Sequence, residues 1–130
     1  MTDDDPALAL AQQMMDAARQ GATAQLTPVL DQGAPLEMRD SAGNTMLMLA
    51  AYHGHAGLVA ELARRGADVD ALNDRGQSPL AGAVFKGFTD VVETLVAAGA
   101  DPDAGAPSAR DSARFFCREE MLRLLETPGA

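Results

Sequence analysis

The sequence predicts an all-α solenoid of about four helix–turn–helix units with protruding loops, the first and last units acting as caps. Three observations carry that expectation. Gly66-Ala67-Asp68-Val69-Asp70-Ala71 returns thirty-three residues later as Gly99-Ala100-Asp101-Pro102-Asp103-Ala104. A repeat distance of roughly twenty to fifty residues marks one supersecondary unit that has been copied, each copy burying its neighbour's apolar flank. Start and stop signals for two helices also recur inside each copy. Finally, hydrophobic residues make up 47% of the chain but aromatics only 4%, with no Trp, so Ala, Leu and Val must pack thin, closely stacked helices.

The first unit spans about 7–39, after an acidic tail at 1–6 expected to be disordered. Its Ala17-Ala18, Gly21 and Gly33-Ala34 map thirty-three residues ahead to Ala50-Ala51, Gly54 and Gly66-Ala67. Pro28 falls where its second helix should be under way, and a proline inside a helix costs about 3 kcal/mol. Either that helix begins late, with Thr27 as cap and Pro28 as first helical residue, or it is kinked; the late start is the expectation. The second unit, about 40–72, has Thr45 as a helix start, Gly54 as its stop, then Leu58, Val59 and Leu62 as an apolar stripe ending at Gly66.

In the third unit, about 73–105, Ser78 caps free N–H groups and Pro79 suits the first helical position, where a missing donor loses nothing. That helix runs to about Lys86 and stops at Gly87. Thr89 is placed to cap the second helix, with Asp90 in its first turn favoured by the helix dipole. Val91, Val92, Leu95 and Val96 share one face, and Gly99 supplies the left-handed terminus. The fourth unit, about 106–126, is altered. Ala113 aligns with Leu80, and Phe116-Cys117 with Ala83-Val84, at an offset of thirty-three; Glu120–Leu125 then aligns with Asp90–Leu95 at thirty. The expectation is that three residues are missing from the turn between its helices. Residues 127–130 are read as a frayed C-terminus.

Charge narrows the function classes. The formal net charge is −9 and the pI near 4.4, whereas phosphate backbones and anionic membranes call for a basic stripe. The expectation is a monomer that binds neither nucleic acid nor membrane. One cysteine excludes an internal disulfide framework. The start Met1-Thr2-Asp3-Asp4-Asp5-Pro6 lacks the positive charge and apolar run of a secretory signal, and no apolar run is long enough to span a bilayer. Cytoplasm is the expected compartment. No Gly-rich phosphate loop, Gly-x-Ser-x-Gly elbow or Cys-x-x-Cys pair occurs, and no cofactor is expected.

Asp40-x-x-Gly43-x-Thr45-x-Leu47, Ala50-Ala51-x-x-Gly54-His55 and Gly66-Ala67-Asp68-Val69-Asp70-Ala71, at a fixed period over nearly the whole chain, resemble the ankyrin repeat. The resemblance implies paired antiparallel helices with β-turn fingers at right angles, and a role in protein–protein binding. One departure stands out: the family's Thr-Pro-Leu-His is here Thr45-Met46-Leu47-Met48 and Ser78-Pro79-Leu80-Ala81. The hydrogen bonds of that histidine should be absent from both central units, with packing in compensation. His55 occupies the family's turn-histidine position, which implies a structural role.

The same resemblance implies that a partner meets the concave side, built from finger tips and the outer face of each first helix. By motif position the fingers contribute Arg39, Ser41, Ala42 and Asn44, then Leu72, Asp74, Arg75 and Gln77. The helices contribute the two residues before each stop: Arg19-Gln20, Tyr52-His53, Phe85-Lys86 and Arg118-Glu119. Tyr52 and Phe85 are interface-type residues one unit apart; the alternatives are that both rings cover helix ends or that Phe85 lies over Phe88, and binding is favoured for Tyr52 while the two readings of Phe85 are level. Arg19, Arg39, Arg75, Lys86 and Arg118 face few acids, which points to a partner surface with carboxylates.

Other groups read as structural. Cys117 is expected to be buried packing, two units from His53 and His55; those histidines lack further metal ligands. Asp68, Asp70, Asp101 and Asp103 suit turn and capping hydrogen bonds better than a calcium loop. Met14, Met15, Met46, Met48 and Met121 read as core fillers. The expected function is a non-catalytic interaction module: an adaptor, inhibitor or regulatory subunit. The alternatives are a chaperone-like stabiliser of a co-produced enzyme, a small Cys/His-dependent enzyme, or a metal-dependent regulator.

Overall fold

The computed structural model describes residues 5–126, and among them there are eight helices and no strand. In chain order they are α1 (Pro6–Gln20), α2 (Thr23–Asp31), α3 (Met46–Tyr52), α4 (Ala56–Arg64), α5 (Pro79–Lys86), α6 (Thr89–Ala97), α7 (Ala109–Phe115) and α8 (Glu119–Glu126). Helices α1, α3, α5 and α7 stand side by side in one row, and α2, α4, α6 and α8 in a second. Each unit is one helix from each row, so the all-α solenoid expected from the period is what forms. None of these helices is long and apolar enough to cross a membrane.

Small residues set the spacing within the first row. Ala18, Ala50, Ala51, Ala83 and Ala113 are all fully buried, so neighbouring helices meet with little side chain between them. Between the rows lie Leu26, Leu47, Leu58, Leu62, Leu80 and Leu95, each with at most 1% of its surface exposed. Burial of one such side chain stabilises by about 1.5–3 kcal/mol. All five methionines assigned to the core are buried. Met48, in place of the family's histidine, reaches α5: its Cε lies 3.5 Å from where a Cβ on Gly82 would sit.

First helices begin on side-chain caps. Thr45 Oγ1 accepts from Met48 N (3.2 Å), Ser78 Oγ from Ala81 N (3.0 Å) and Ser108 Oγ from Asp111 N (3.1 Å). Asp5 caps α1 and Pro6 is its first residue, so these two belong to the helix rather than to the expected acidic tail. The remainder of that tail, 1–4, and the expected frayed end at 127–130 lie outside the described residues.

Second helices start differently from expectation. Each follows a tight turn closed by one backbone bond: Ala22 N to Ala17 O (2.8 Å), His55 N to Ala50 O (2.9 Å), Phe88 N to Ala83 O (3.0 Å) and Arg118 N to Ala113 O (2.9 Å). The last residue of the turn, Ala22, His55 or Phe88, takes the cap position of α2, α4 or α6 and makes no side-chain cap bond there. Thr89 is therefore the first residue of α6 and caps nothing, while Asp90 Oδ1 takes the Val91 N–H at 2.8 Å. Likewise α2 starts at Thr23, not Pro28, and Pro28 lies inside it. Burial of Leu26 and Leu30 on one face of α2 holds the helix through the proline. Thr27 Oγ1 donates to Thr23 O at 2.8 Å.

The four turn bonds also fix the register of the last unit. Ala113 is the counterpart of Ala83, not of Leu80, so an offset of thirty holds throughout α7 and α8. The three missing residues come out of the preceding finger, between Asp101 and Ser108, and not out of the turn between helices. The shortened finger lies tight on its neighbour: Ala106 N donates to Gly76 O (3.0 Å), and a Cβ on Gly105 would fall 2.7 Å from that same oxygen.

The corrected register explains Cys117, which is exposed rather than buried. It occupies the left-handed stop of the first helix (φ 54), where the other units have Gly21, Gly54 and Gly87. Those glycines are roofed by the next unit. A Cβ on Gly21 would meet the His55 ring within 2.9 Å, one on Gly54 the Phe88 ring at 3.2 Å, and one on Gly87 the Arg118 guanidinium at 3.3 Å. No described unit follows α8 to roof position 117, so a side chain fits there at the cost of a left-handed backbone alone, about 1–2 kcal/mol.

Two stability outcomes follow. Cys117→Gly relieves that backbone and should raise the unfolding free energy by about 1 kcal/mol. Pro28→Ala restores a helical N–H and should raise it by about 1–2 kcal/mol. Urea titrations followed by circular dichroism check both, and a lowered midpoint in either variant contradicts its account.

Candidate partner-binding groove

Fingers and first helices meet at an angle and leave a groove between them, which holds three successive recesses. The first, about 500 Å³, lies between α1 and the first finger and is lined by Leu8, Gln12, Arg19, Arg39, Asp40 and Ser41 among others. The second, about 230 Å³, lies between α3 and the fingers, with Asn44, Met48, Tyr52, Asn73, Arg75 and Gln77. The third, about 250 Å³, is bounded by Tyr52, Arg75, Gln77, Gly82, Phe85 and Ser112. Tyr52, Arg75 and Gln77 form the wall shared by the second and third.

Finger shape comes from one side chain per finger. Asp40 Oδ1 accepts from Ala42 N and Asn44 N, both at 2.9 Å, and Asn73 Oδ1 accepts from Arg75 N and Gln77 N, both at 3.0 Å. Neither Asp40 nor Asn73 is among the site residues read from the sequence. The fingers are then tied together: Asn73 Nδ2 donates to Asn44 Oδ1 (3.0 Å) and Gln77 Oε1 (2.9 Å), and Asp74 N to Ala42 O (3.0 Å). Asp74 packs against Gly43, and Leu72 is exposed beside the shortened finger. A parallel ladder runs along the finger bases. Glu37 accepts from Asp68 N, Asp68 from Asp70 N, Asp70 from Asp101 N and Asp101 from Asp103 N, all within 2.9 Å. Asp103 pairs with Arg110 at 2.8 Å. These carboxylates perform the turn and capping bonds expected of them.

The five basic residues mapped to the stripe divide. Arg19 is paired with Asp16 (2.6 Å) and Asp40 (3.3 Å). Arg39 Nη1 donates to Gly43 O (2.8 Å) and Leu72 O (2.7 Å), clasping one finger to the next. Arg118 is misplaced by the slipped register. It is the counterpart of His55 and Phe88, roofing Gly87 and donating to Phe85 O at 3.4 Å; Glu119 is likewise the first residue of α8 rather than part of the stripe. Arg39, Arg75 and Lys86 are thus the groove cations without an ion pair among the described residues, and of these Arg39 has its Nη1 committed to two backbone carbonyls. Lys86 Nζ sits 4.8 Å over the Tyr52 ring centroid, a favourable cation–π arrangement.

In the true register the helix positions of the fourth unit are Phe115 and Phe116. Phe85 packs edge-to-face on Phe116 (5.5 Å), and Phe116 on Phe115 (5.0 Å); the ring contact of Phe85 is thus with Phe116 rather than Phe88. Exposure is 51% for Phe85, 42% for Phe116 and 80% for Phe115. Four of the five aromatics therefore sit on the concave row, and the fifth, Phe88, covers Gly54. Phe115 and Phe116 were missed because a deletion placed in the wrong loop shifts every residue after it. The serine cap at Ser108, thirty after Ser78, carried the signal.

The histidines part company as well. His55 Nε2 lies 2.7 Å from Arg19 O; a carbonyl only accepts, so this nitrogen carries the proton and the residue holds one unit to the next. His53 ends α3 with its ring at the Tyr52 edge (5.9 Å). Burial, with the charges of His55, Lys86 and Arg19, pushes its imidazole below the ordinary 6.5, so it is neutral at pH 7.

Asp40 makes the finger sensitive to acid. Burial alone would raise its carboxyl, but the Asn44 and Ala42 hydrogen bonds and the Arg19 charge outweigh burial and hold it below its ordinary 3.8. A depressed folded-state value means that its stabilisation is present above the unfolded value and is lost as pH falls through the folded one. Urea midpoints should drop as pH is lowered from about 5 to about 3, and Asp40→Asn should flatten that drop. An equal slope in both proteins would refute the assignment.

The family model for ankyrin repeats, in three copies, matches residues 14–106. The Pseudomonas aeruginosa protein PA3287, named as an ankyrin repeat protein, is 50% identical over 44 residues, which are 34% of this chain and 26% of the relative. The chain thus spans about a quarter of the length of that curated relative. Paired helices in two rows, fingers closed by Asp40 and Asn73, and a match over most of the sequence lead to one statement: this chain belongs to the ankyrin-repeat family.

Proposed function

We propose that the chain is a non-catalytic interaction module, an adaptor, inhibitor or regulatory subunit, that grips a partner protein in the concave groove. Ankyrin repeats in general are protein–protein interaction modules. The observation that supports the concave face here is the aromatic row: Tyr52 and Phe85 line the third recess, and Phe116 and Phe115 continue from Phe85 by ring contact, in a chain with five aromatics. Phe85, Phe115 and Phe116 touch one another at their edges but leave much of their apolar faces in water. Rings of this kind dominate the energy of protein interfaces.

The reading assigns contact to Ser41, Asn44, Tyr52, His53, Leu72, Asp74, Arg75, Gln77, Phe85 and Lys86, with Arg19 and Arg39 shaping the groove wall, and adds Phe115 and Phe116. Catalysis by Cys117 would need a base beside it, yet the thiol ends α7 while His53 and His55 lie two units away at the end of α3. A net charge of −9 favours a monomer, and the lone cysteine suits a reducing compartment such as the cytoplasm.

Affinity purification with mass spectrometry, run in parallel on the wild type and on Tyr52→Ala/Phe85→Ala, tests the groove. Truncating two central rings should reduce specific capture by about a hundredfold, while Arg64→Ala on the opposite face should leave it unchanged. Equal capture by the double variant, with its helical circular dichroism intact, would remove the groove from consideration.

A further inference from the structure

Resting on the groove reading above, we propose that the occupant of its central and C-terminal part is an extended acidic segment of the partner. Its carboxylates would pair with Arg75 and Lys86, and an apolar side chain would lie between Tyr52 and Phe85. The argument is one of charge distribution. The chain holds nineteen carboxylate residues against ten Lys and Arg, yet no carboxylate lines either the second or the third recess. Both recesses share Arg75, and Lys86 stands over the Tyr52 ring that divides them.

The first recess differs. There two carboxylates, Asp16 and Asp40, line the recess beside its two cations: they pair with Arg19, and Arg39 has its Nη1 held by Gly43 O and Leu72 O. Selectivity for acid is thus concentrated in the two recesses where the ring shelf lies. Asp74 neighbours Arg75 in sequence but packs on Gly43 of the other finger and lines neither recess. Gln77 adds a donor: its Oε1 is occupied by Asn73, while its Nε2 has no partner among the described residues and suits a peptide carbonyl. A carboxylate, an apolar anchor and a main-chain acceptor are together the signature of a peptide. Nucleic acid also combines anions with stacking faces, but its dense phosphate charge would meet a protein of net charge −9.

A displayed random-peptide library panned against the full chain is the test, with a fluorescent oligothymidylate as the second probe. Enriched peptides should combine Asp or Glu with a neighbouring aromatic or aliphatic residue. Their affinity should fall about tenfold or more with Arg75→Glu and weaken in about 0.5 M salt. Replacing the peptide's acid by Lys should restore binding to Arg75→Glu. Enriched peptides without acid, or acidic peptides indifferent to Arg75→Glu yet lost with Tyr52→Ala/Phe85→Ala, would overturn this inference and leave the groove standing. Peptides indifferent to all three substitutions would overturn the groove as well. Failure to enrich any peptide, or tighter binding of the oligonucleotide, would refute the acidic segment outright.

Discussion

Close approach of the first-row helices is the constraint on which everything else rests. Ala18, Ala50, Ala51, Ala83 and Ala113 are fully buried, and larger side chains there would hold the helices apart. At one contact even a methyl group would be tight: a Cβ on Gly82 would lie 3.2 Å from the Tyr52 ring, which would have to give by a few tenths of an ångström. With the helices this close, the turn after each one falls beneath the residue that precedes the second helix of the next unit. Fingers come within hydrogen-bonding reach of each other for the same reason, as the bonds from Asn73 to Asn44 and from Asp74 to Ala42 show. The groove is a by-product of that packing, since Tyr52 and Phe85 project from the narrow row where no space remains for them inside.

Much of the fold was legible in the sequence because its determinants are local. A period, a hydroxyl cap and a stop glycine act within a few residues of themselves, and all three could be read at Thr45, Ser78, Gly54 and Gly87. What escaped was non-local. Pro28 looks prohibitive when the helix is considered alone, but Leu26 and Leu30 bury against neighbouring units and outweigh the lost donor. The deletion in the last finger was placed in the wrong loop because Phe116 and Cys117 are apolar enough to pass for Ala83 and Val84. The Ser108 cap, the turn bond from Arg118 N to Ala113 O and the left-handed backbone at Cys117 separate the two alignments.

The groove was less legible than the fold, and electrostatics is the reason. Sequence position placed five cations on one stripe but could not show their partners. Arg19 meets Asp40 across twenty-one residues of chain, and Arg39 meets Leu72 across thirty-three. The Asp40 carboxylate offsets the charge of Arg19 and the two carbonyls tie down Arg39, so the cations still open to a partner are chiefly Arg75 and Lys86. The rings shifted in the opposite sense, from two to four, after Phe115 and Phe116 joined the row. Local potential at such a site affects association rate and partner discrimination more than the formal charge of the whole chain does.

The roofing of each stop glycine has an implication for how copies can be recombined. His55, Phe88 and Arg118 belong by sequence to the second, third and fourth units, but each one seals the corner of the unit before it. A copy cut out at its finger and inserted elsewhere would arrive with a lid shaped for a foreign corner and leave its own behind. Three different lids, an imidazole, a phenyl ring and a guanidinium, make these joints individually keyed. Shuffled arrays built from this chain would therefore need the glycine and the lid above it exchanged as a pair, across the boundary that the period alone would suggest.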